Sequence, residues 1–379
     1  MTSPRRQTVH LIEQVGRGGI FQHTVALGAL LASEGVRVRL HTAADSEPIP
    51  SDTGIDVCPC VEWFRNGGKL RKPLIASRYV LRTLPHLVSE VEDGDVVHVQ
   101  GVWNADLAAL TIARLRRRTR LVFSPHNTFA RSGSGRHDRL LRRDLSAAHA
   151  TIVYSEYDRS VIGDGSGPVF VSPLIQLVPG ETHREAWRAA WGAEAEPVAL
   201  FAGQLRPDKR LDRVLAAMRE MSNPPLLAIV GEDKGAASVW REQADRAGVR
   251  AHWSVGFLPL ERFAGAVAAA DVVVCPYERA SQSAVISLAA ALGTPTIATS
   301  VGGLTESATF VVEGDDHRGL ARAIEAAITA GRSVPRADAE QNERAWRAHA
   351  DAYGWHDEAP VDTRGTRDMS ATDAGQGLV

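Results

Sequence analysis

Short apolar runs alternate with longer runs of helical spacing along most of the chain. Val9 to Glu13 ("VHLIE") is apolar and of strand length. "FQHTVALGALLASEG" follows with apolar residues at helical spacing, and Gly35 stands where a C-cap glycine would. "VRVRL", Val36 to Leu40, then alternates with period two. Together these predict one strand–helix–strand unit. "VVHVQ" (Val96 to Gln100), "RLVFS" (Arg120 to Ser124) and "TIVYS" (Thr151 to Ser155) continue the series, with helical patterns between them.

A less regular stretch runs from Pro173 to about Glu196, and the alternation then restarts. "PVALFAG", "LLAIVG", "RAHWSVG", "DVVVCP" and "TPTIATS" read as five further strands. Continuous apolar strands of this kind are covered on both faces by helices. The pattern therefore predicts an α/β protein of two doubly wound, Rossmann-like domains with a cleft between them, spanning residues 1–175 and 176–340. Residues 341–357 carry a terminal amphipathic helix, and the polar tail 358–379 is expected to be disordered.

Composition adds boundaries. The 379 residues carry 43 Lys+Arg against 45 Asp+Glu, ordinary for a globular chain. The charge is unevenly spread: residues 1–175 hold 22 Lys+Arg against 17 Asp+Glu, and the remainder 21 against 28. The basic half contains "RNGGKLRK" (Arg65 to Lys72) and "RLRRRTR" (Arg114 to Arg120), read as solvated surface or as contacts for lipid headgroups or an acidic substrate. No nucleic-acid-binding pattern accompanies them. No apolar stretch approaches the roughly 20 residues of a membrane span, and the N-terminus lacks a signal-peptide core. The expectation is a cytoplasmic protein, with peripheral contact at the inner membrane face left open. Cys58 and Cys60, separated by Pro59, make half of a metal-binding pattern. No further cysteine pair completes it, so no metal is expected.

In open parallel sheets, ligands lie beyond the carboxyl ends of the strands, so the loops after each strand carry the candidate chemistry. "QVGRGGIFQH" places Gly16, Gly18 and Gly19 before a helix, as a tight turn or a phosphate cradle. "SPHNTFAR" puts His126 at a strand end, where it can contact a sugar hydroxyl or serve structure alone. "GQLRPDKRLD" offers Arg206 and Lys209 just before a helix opening near Leu211, two cations suited to a diphosphate. In "PYERASQSAV", Ser281, Gln282 and Ser283 stand at the mouth of an uncharged helix, as an anion site or a plain N-cap. In "TSVGGLTE", Glu306 suits a ribose or sugar hydroxyl, or a cap on the next segment.

Taken together, these segments resemble the retaining GT-B glycosyltransferases of family 4, also called glycosyl transferases group 1. The resemblance spans roughly Val9 to Trp355 and is carried by "GRGGIFQHTVALGALLASEGVRVRL", "FAGQLRPDKRLD", "GFLPLERFAGAVAAADVVVCPY" and "ALGTPTIATSVGGLTE". It implies an N-terminal acceptor-side domain and a C-terminal domain that binds a nucleotide sugar of UDP or GDP type. It also implies a hydroxyl acceptor, whether saccharide, glycolipid or small molecule, and no cofactor or metal. Carried across, Arg206 and Lys209 hold the leaving diphosphate, and His126 contacts the transferred sugar. Gly18, Gly19, Phe257, Leu258, Ser281, Gln282, Ser283, Ala284 and Glu306 are the expected donor contacts, and His23 and Asn127 the acceptor contacts.

The chain departs from the family at two glutamates, whose positions fall on Ala280 and Leu288. The intervening Gly-Phe-Gly becomes Ser281-Gln282-Ser283, with Glu278 as a nearby substitute carboxylate. Those departures keep open a non-catalytic sugar-nucleotide-binding protein. The resemblance also leaves room for a GT-B epimerase.

Overall fold

The computed structural model describes residues 7–61, 72–101, 105–128, 135–163, 167–333 and 339–355. The first seven strands are β1 (Thr8–Glu13), β2 (Arg37–Ala43), β3 (Asp56–Val61), β4 (Val96–Gln100), β5 (Arg120–Ser124), β6 (Ala150–Val153) and β7 (Val169–Val171). They pair in parallel in the order β3-β2-β1-β4-β5-β6-β7. A second parallel sheet holds β8 (Val198–Ala202), β9 (Leu226–Gly231), β10 (Ala251–Val255), β11 (Val272–Cys275), β12 (Thr296–Thr299) and β13 (Phe310–Val312). Its order is β10-β9-β8-β11-β12-β13. Each sheet therefore reverses direction once, beside its first strand, and that switch point is where a crevice opens.

The helices of the first half are α1 (Gly18–Ser33), α2 (Lys72–Arg78), α3 (Leu84–Glu90), α4 (Ala105–Leu115), α5 (Gly135–Ala147) and α6 (Glu156–Ile162). Those of the second are α7 (Arg184–Trp191), α8 (Leu211–Glu220), α9 (Ala237–Ala247), α10 (Leu260–Ala269), α11 (Ala284–Ala291), α12 (His317–Ala330) and α13 (Ala339–Tyr353). Apolar clusters lie on both faces of each sheet, which is why the central strands read as unbroken apolar runs.

Three strands escape the sequence reading: β3, β7 and β13, each at or next to a sheet edge. Their burial is broken, and β3 contains Pro59, which only an edge strand tolerates well. The irregular connection also contains α7, whose Trp187 and Trp191 enter the core of the second domain.

The last helix returns to the first domain. Ala345, Ala352 and Tyr353 of α13 join an apolar cluster beside the first sheet. The Tyr353 hydroxyl meets His98 Nδ1 at 2.8 Å, and Arg120 Nε donates to the Ala352 carbonyl. The tail after Trp355 and the run Arg65 to Arg71 lie outside the described residues. The other basic run, Arg116 to Arg118, is an exposed turn leading into β5. It sits at the amino end of that strand, away from the crevice. No described helix is long and apolar enough to cross a membrane.

Candidate active site

The loops at the carboxyl ends of both sheets face each other and touch. At the switch point of the second sheet, β8 ends at Gly203 and β11 at Cys275. Arg206 opens a 3-10 turn, Pro207–Lys209, and α8 follows. Lys209 Nζ lies 3.3 Å from the centroid of the Tyr277 ring, a cation–π contact. Tyr277 is fully buried, its hydroxyl engages Ser283 and Cys275, and burial pushes its ionisation far up. Arg206 is near enough for its charge to act on the same phenol. The Glu278 N–H donates to the Asp208 carbonyl, fastening the two loops to each other. Tyr277 is thus the hub that gathers Arg206, Lys209 and the start of α11. It lay within a quoted motif, yet nothing in the sequence gave it that part.

Ser283 is the N-cap of α11, its hydroxyl accepting from the Ile286 N–H. The cap satisfies one of the four orphan amides of that helix start, which keeps the positive end of its dipole. Cap and anion site are therefore compatible at this loop. Ser281 and Gln282 turn toward the other domain. Ser281 Oγ accepts from the Thr128 N–H at 3.2 Å, and Gln282 Nε2 donates to the His126 carbonyl at 3.1 Å. A Cβ on Gly19 would come within 2.7 Å of the Ala284 methyl, so the first turns of α1 and α11 abut. Glycine is required again at Gly303, where a Cβ would lie 2.4 Å from the Ser281 carbonyl oxygen.

Several expected contacts fall elsewhere. The glycine loop is not an open anion cradle. Arg17 occupies the N-cap position of α1 and supplies no cap, so Glu47, from the loop after β2, accepts from the Gly18 N–H at 2.7 Å. Glu13 accepts from the Val15 and Gly16 N–H groups. With these amides already taken by Glu47 and Glu13, a phosphate would have to displace a side-chain carboxyl there. Glu306 departs from a ribose contact in this conformation. Its two oxygens accept from the Glu156 and Tyr157 N–H groups, capping α6 across the interface. His23 is fully buried, with Nδ1 on the Ile175 carbonyl and Nε2 on the Tyr154 hydroxyl, so it offers an acceptor nothing.

His126 holds φ +56, a strained backbone for a residue with a side chain, of the kind that collects at functional sites. Its ring stacks on Tyr154 and joins Gln100 Oε1 at 2.7 Å, so it is 5% exposed and turned inward. Asn127 is half-buried at the interface edge. Phe257 is partly exposed, with the Arg17 guanidinium 5.2 Å from its ring centroid, while Leu258 packs on the core. Arg210 pairs with Asp212 and lines a shallow depression of about 520 Å³ with Asp208, Trp240 and Glu278. Leu288 is buried in the core and Ala280 nearly so, hence neither family carboxylate has a polar replacement in place.

Glu306 bears on how firmly the domains meet. Glu306→Ala leaves two α6 amides without an acceptor, worth about 1 kcal/mol at an exposed cap, or roughly a fivefold shift toward separated domains. Small-angle scattering is expected to show a larger radius of gyration for the variant. An unchanged profile would rule out this cap as a closure contact.

Two family patterns match in succession. "Glycosyltransferase Family 4" matches residues 17–171, and "Glycosyl transferases group 1" matches residues 196–330. The chain is 34% identical over 200 residues to a D-inositol 3-phosphate glycosyltransferase of Geodermatophilus obscurus, covering 48% of this chain and 42% of that protein. A D-inositol 3-phosphate glycosyltransferase of Rhodococcus erythropolis is 33% identical over 200 residues, covering 48% and 43%. The match thus spans less than half the length of these curated relatives. Among solved structures, sucrose-phosphate synthase from Thermosynechococcus elongatus superposes with a TM-score of 0.67 at 20% identity, covering 92% of this chain and 97% of that one. Anabaena HepE in complex with UDP-glucose gives 0.65 at 15%, covering 91% and 95%. At these identities the structures speak for the fold.

Proposed function

We propose that this chain, a GT-B-fold protein related to the family 4 and group 1 glycosyltransferases, moves a sugar from a nucleotide-diphosphate sugar to a hydroxyl acceptor with retention. The observation that carries the reading is the gathering of Arg206, Lys209 and the capped start of α11 around buried Tyr277, at the switch point of the second sheet. A diphosphate leaving group develops negative charge as the glycosidic bond breaks. Two cations and a helix dipole fixed beside it stabilise that charge without reorganising. In this reading Lys209 holds the phosphate nearest the sugar and Arg206 grips the other. Ser281 and Gln282 exchange their interdomain partners for donor oxygens as substrate enters. His126, held at the carboxyl end of β5, faces the sugar once the domains part to admit it. Phe257 and Leu258 line the base side, and Asn127 the acceptor side.

A second reading, a sugar-nucleotide-binding protein without turnover, is favoured by one feature: apolar Ala280 and Leu288 stand where the family carries carboxylates. Calorimetric titration with UDP, GDP, dTDP and ADP, each alone and as sugar conjugates, tests both. One nucleotide is expected to bind, with affinity at least about tenfold weaker in Lys209→Ala, as for a lost charge-assisted contact. No binding by the folded protein would overturn both readings. Binding without transfer to any hydroxyl acceptor would select the second.

A further inference from the structure

At the edge of the first sheet, far along the chain from Arg206 and Lys209, three metal-ligand side chains converge from two strands, and a histidine from a neighbouring helix approaches one of them. β2 and β3 pair with His41 opposite Cys58. Successive side chains on a strand alternate faces, so Cys58 and Cys60 share one. The His41, Cys58 and Cys60 ligand atoms all lie within 4.8 Å of one another. Cys60 Sγ is 3.6 Å from His41 Nδ1. From α3, His86 Nε2 approaches Cys58 Sγ at 3.3 Å but lies outside that mutually close group, so it must swing toward His41 and Cys60 to complete a tetrahedron. A tetrahedral zinc ion, with bonds of about 2.3 Å to sulfur and about 2.0 Å to nitrogen, sets its sulfur and nitrogen ligands about 3.5 Å apart. The two sulfur–nitrogen distances fall on either side of that value.

The surroundings are also those of a ligand set. His41 is fully buried, and its other nitrogen, Nε2, lies 2.9 Å from His10 Nδ1. His10 Nε2 lies 3.1 Å from Asp95 Oδ2. A carboxylate behind a histidine is the arrangement that orients metal-bound imidazoles and raises their basicity. Here the relay is one imidazole longer. Arg39 is on the same face and reaches the Cys58 thiol, but its guanidinium is also paired with Asp56 and Glu90. It therefore places little uncompensated positive charge against a cation.

We propose that His41 Nδ1, Cys58 Sγ and Cys60 Sγ, with His86 Nε2 as the fourth donor, form a structural site for a divalent cation of the zinc type. Two thiolates and two imidazoles select zinc over hard cations such as magnesium or calcium. The ion clamps α3 to edge strand β3, where the apolar core is thin. The two thiols each release a proton as the cation binds, with no redox change.

The test titrates Co²⁺ into the reduced full-length protein, stripped of metal, and follows the thiolate charge-transfer and ligand-field bands. One Co²⁺ per chain is expected, displaced by Zn²⁺, with a higher thermal midpoint in the loaded protein. His86 is half-buried, so His86→Ala should fold. Its affinity is expected to fall by more than the roughly 10- to 100-fold loss typical of an outer-shell partner. Cys58→Ser/Cys60→Ser is expected to abolish the charge-transfer band. Absence of that band in the wild-type protein overturns the site, whatever the variants do. An unchanged titration in His86→Ala overturns the four-donor arrangement.

Discussion

Lys209→Ala is expected to lower kcat/KM for sugar transfer by about 100- to 1,000-fold, the range seen when one preorganised transition-state donor is removed. The ammonium is fixed over the Tyr277 ring rather than left on a free stem, so little reorganisation is needed as charge develops on the leaving diphosphate. Loss of the cation–π contact itself costs about 0.5–1 kcal/mol at a half-buried site, too little to unfold the domain. Arg206→Ala is expected to act in the same direction with a smaller effect. Asp208 Oδ2 already accepts from its guanidinium at 2.9 Å, which tempers the field Arg206 presents. The loss should fall mainly on kcat, because the added charge is realised in the transition state. Lys209→Arg is expected to rescue only in part: a guanidinium stacks on the Tyr277 ring as well as an ammonium does, but its longer, planar fork spreads the charge away from the point where a compact ammonium meets the phosphate. Steady-state assays with the nucleotide sugar identified by titration check these outcomes. Near-normal turnover in both alanine variants would sink the assignment of the site.

Stability is expected to fall as pH drops from about 6.5 toward 5, by at least about 2 kcal/mol per pH unit. The cause lies beneath the interface, where His23, His98, His126 and His349 are buried as neutral imidazoles. Burial holds His23 down to about 3 and His349 to about 4, and holds His98 and His126 well below their ordinary value. His349 shows why. Its Nδ1 engages the Ala345 carbonyl and its Nε2 has no partner, so a second proton would be buried unsatisfied.

For each such group the unfolded chain binds a proton, below about pH 6.5, that the native state refuses. Stability is therefore present above that pH and lost below it. Two buried carboxyls oppose the trend. Burial pushes Glu13 and Asp144 up to about 7, so they hold protons in the fold that the unfolded chain releases. Asp158, also raised by burial, adds to that side. His10, His41 and His149, also held down by burial, add to these four histidines. Against two to three carboxyls the unfolded chain is thus ahead by at least one to two protons, each worth about 1.4 kcal/mol per pH unit. The loss by pH 5 is then at least about 3 kcal/mol, a large share of a typical 5–15 kcal/mol. Urea midpoints from pH 5 to 8 measure it, and His349→Phe is expected to flatten the slope by about one proton. A midpoint independent of pH across this range would contradict the account.

Much of the fold follows from local pattern. Continuous apolar strands separated by helical periods dictate two parallel sheets, because each element carries its own burial signal along its own length. The central strands were legible for that reason, and so were Gly35 at the end of α1 and the start of α8 at Leu211. The placement of Arg206 and Lys209 at a strand end and the cap at Ser283 were legible too, since such signals lie within a few residues of one another.

Contacts between distant segments were not legible. Whether the Gly18 amide meets a phosphate or Glu47 depends on a loop 29 residues on. Whether Glu306 meets a ribose or caps α6 depends on a helix 150 residues earlier. Cys58 and Cys60 read as half a pattern because the other half is histidine, supplied by register with β2 and by the approach of α3. Sequence determined which groups exist and which elements carry them. Only the tertiary structure decided which partner each polar group takes, because a buried donor or acceptor is satisfied by whatever lies within about 3 Å, however far off it is along the chain.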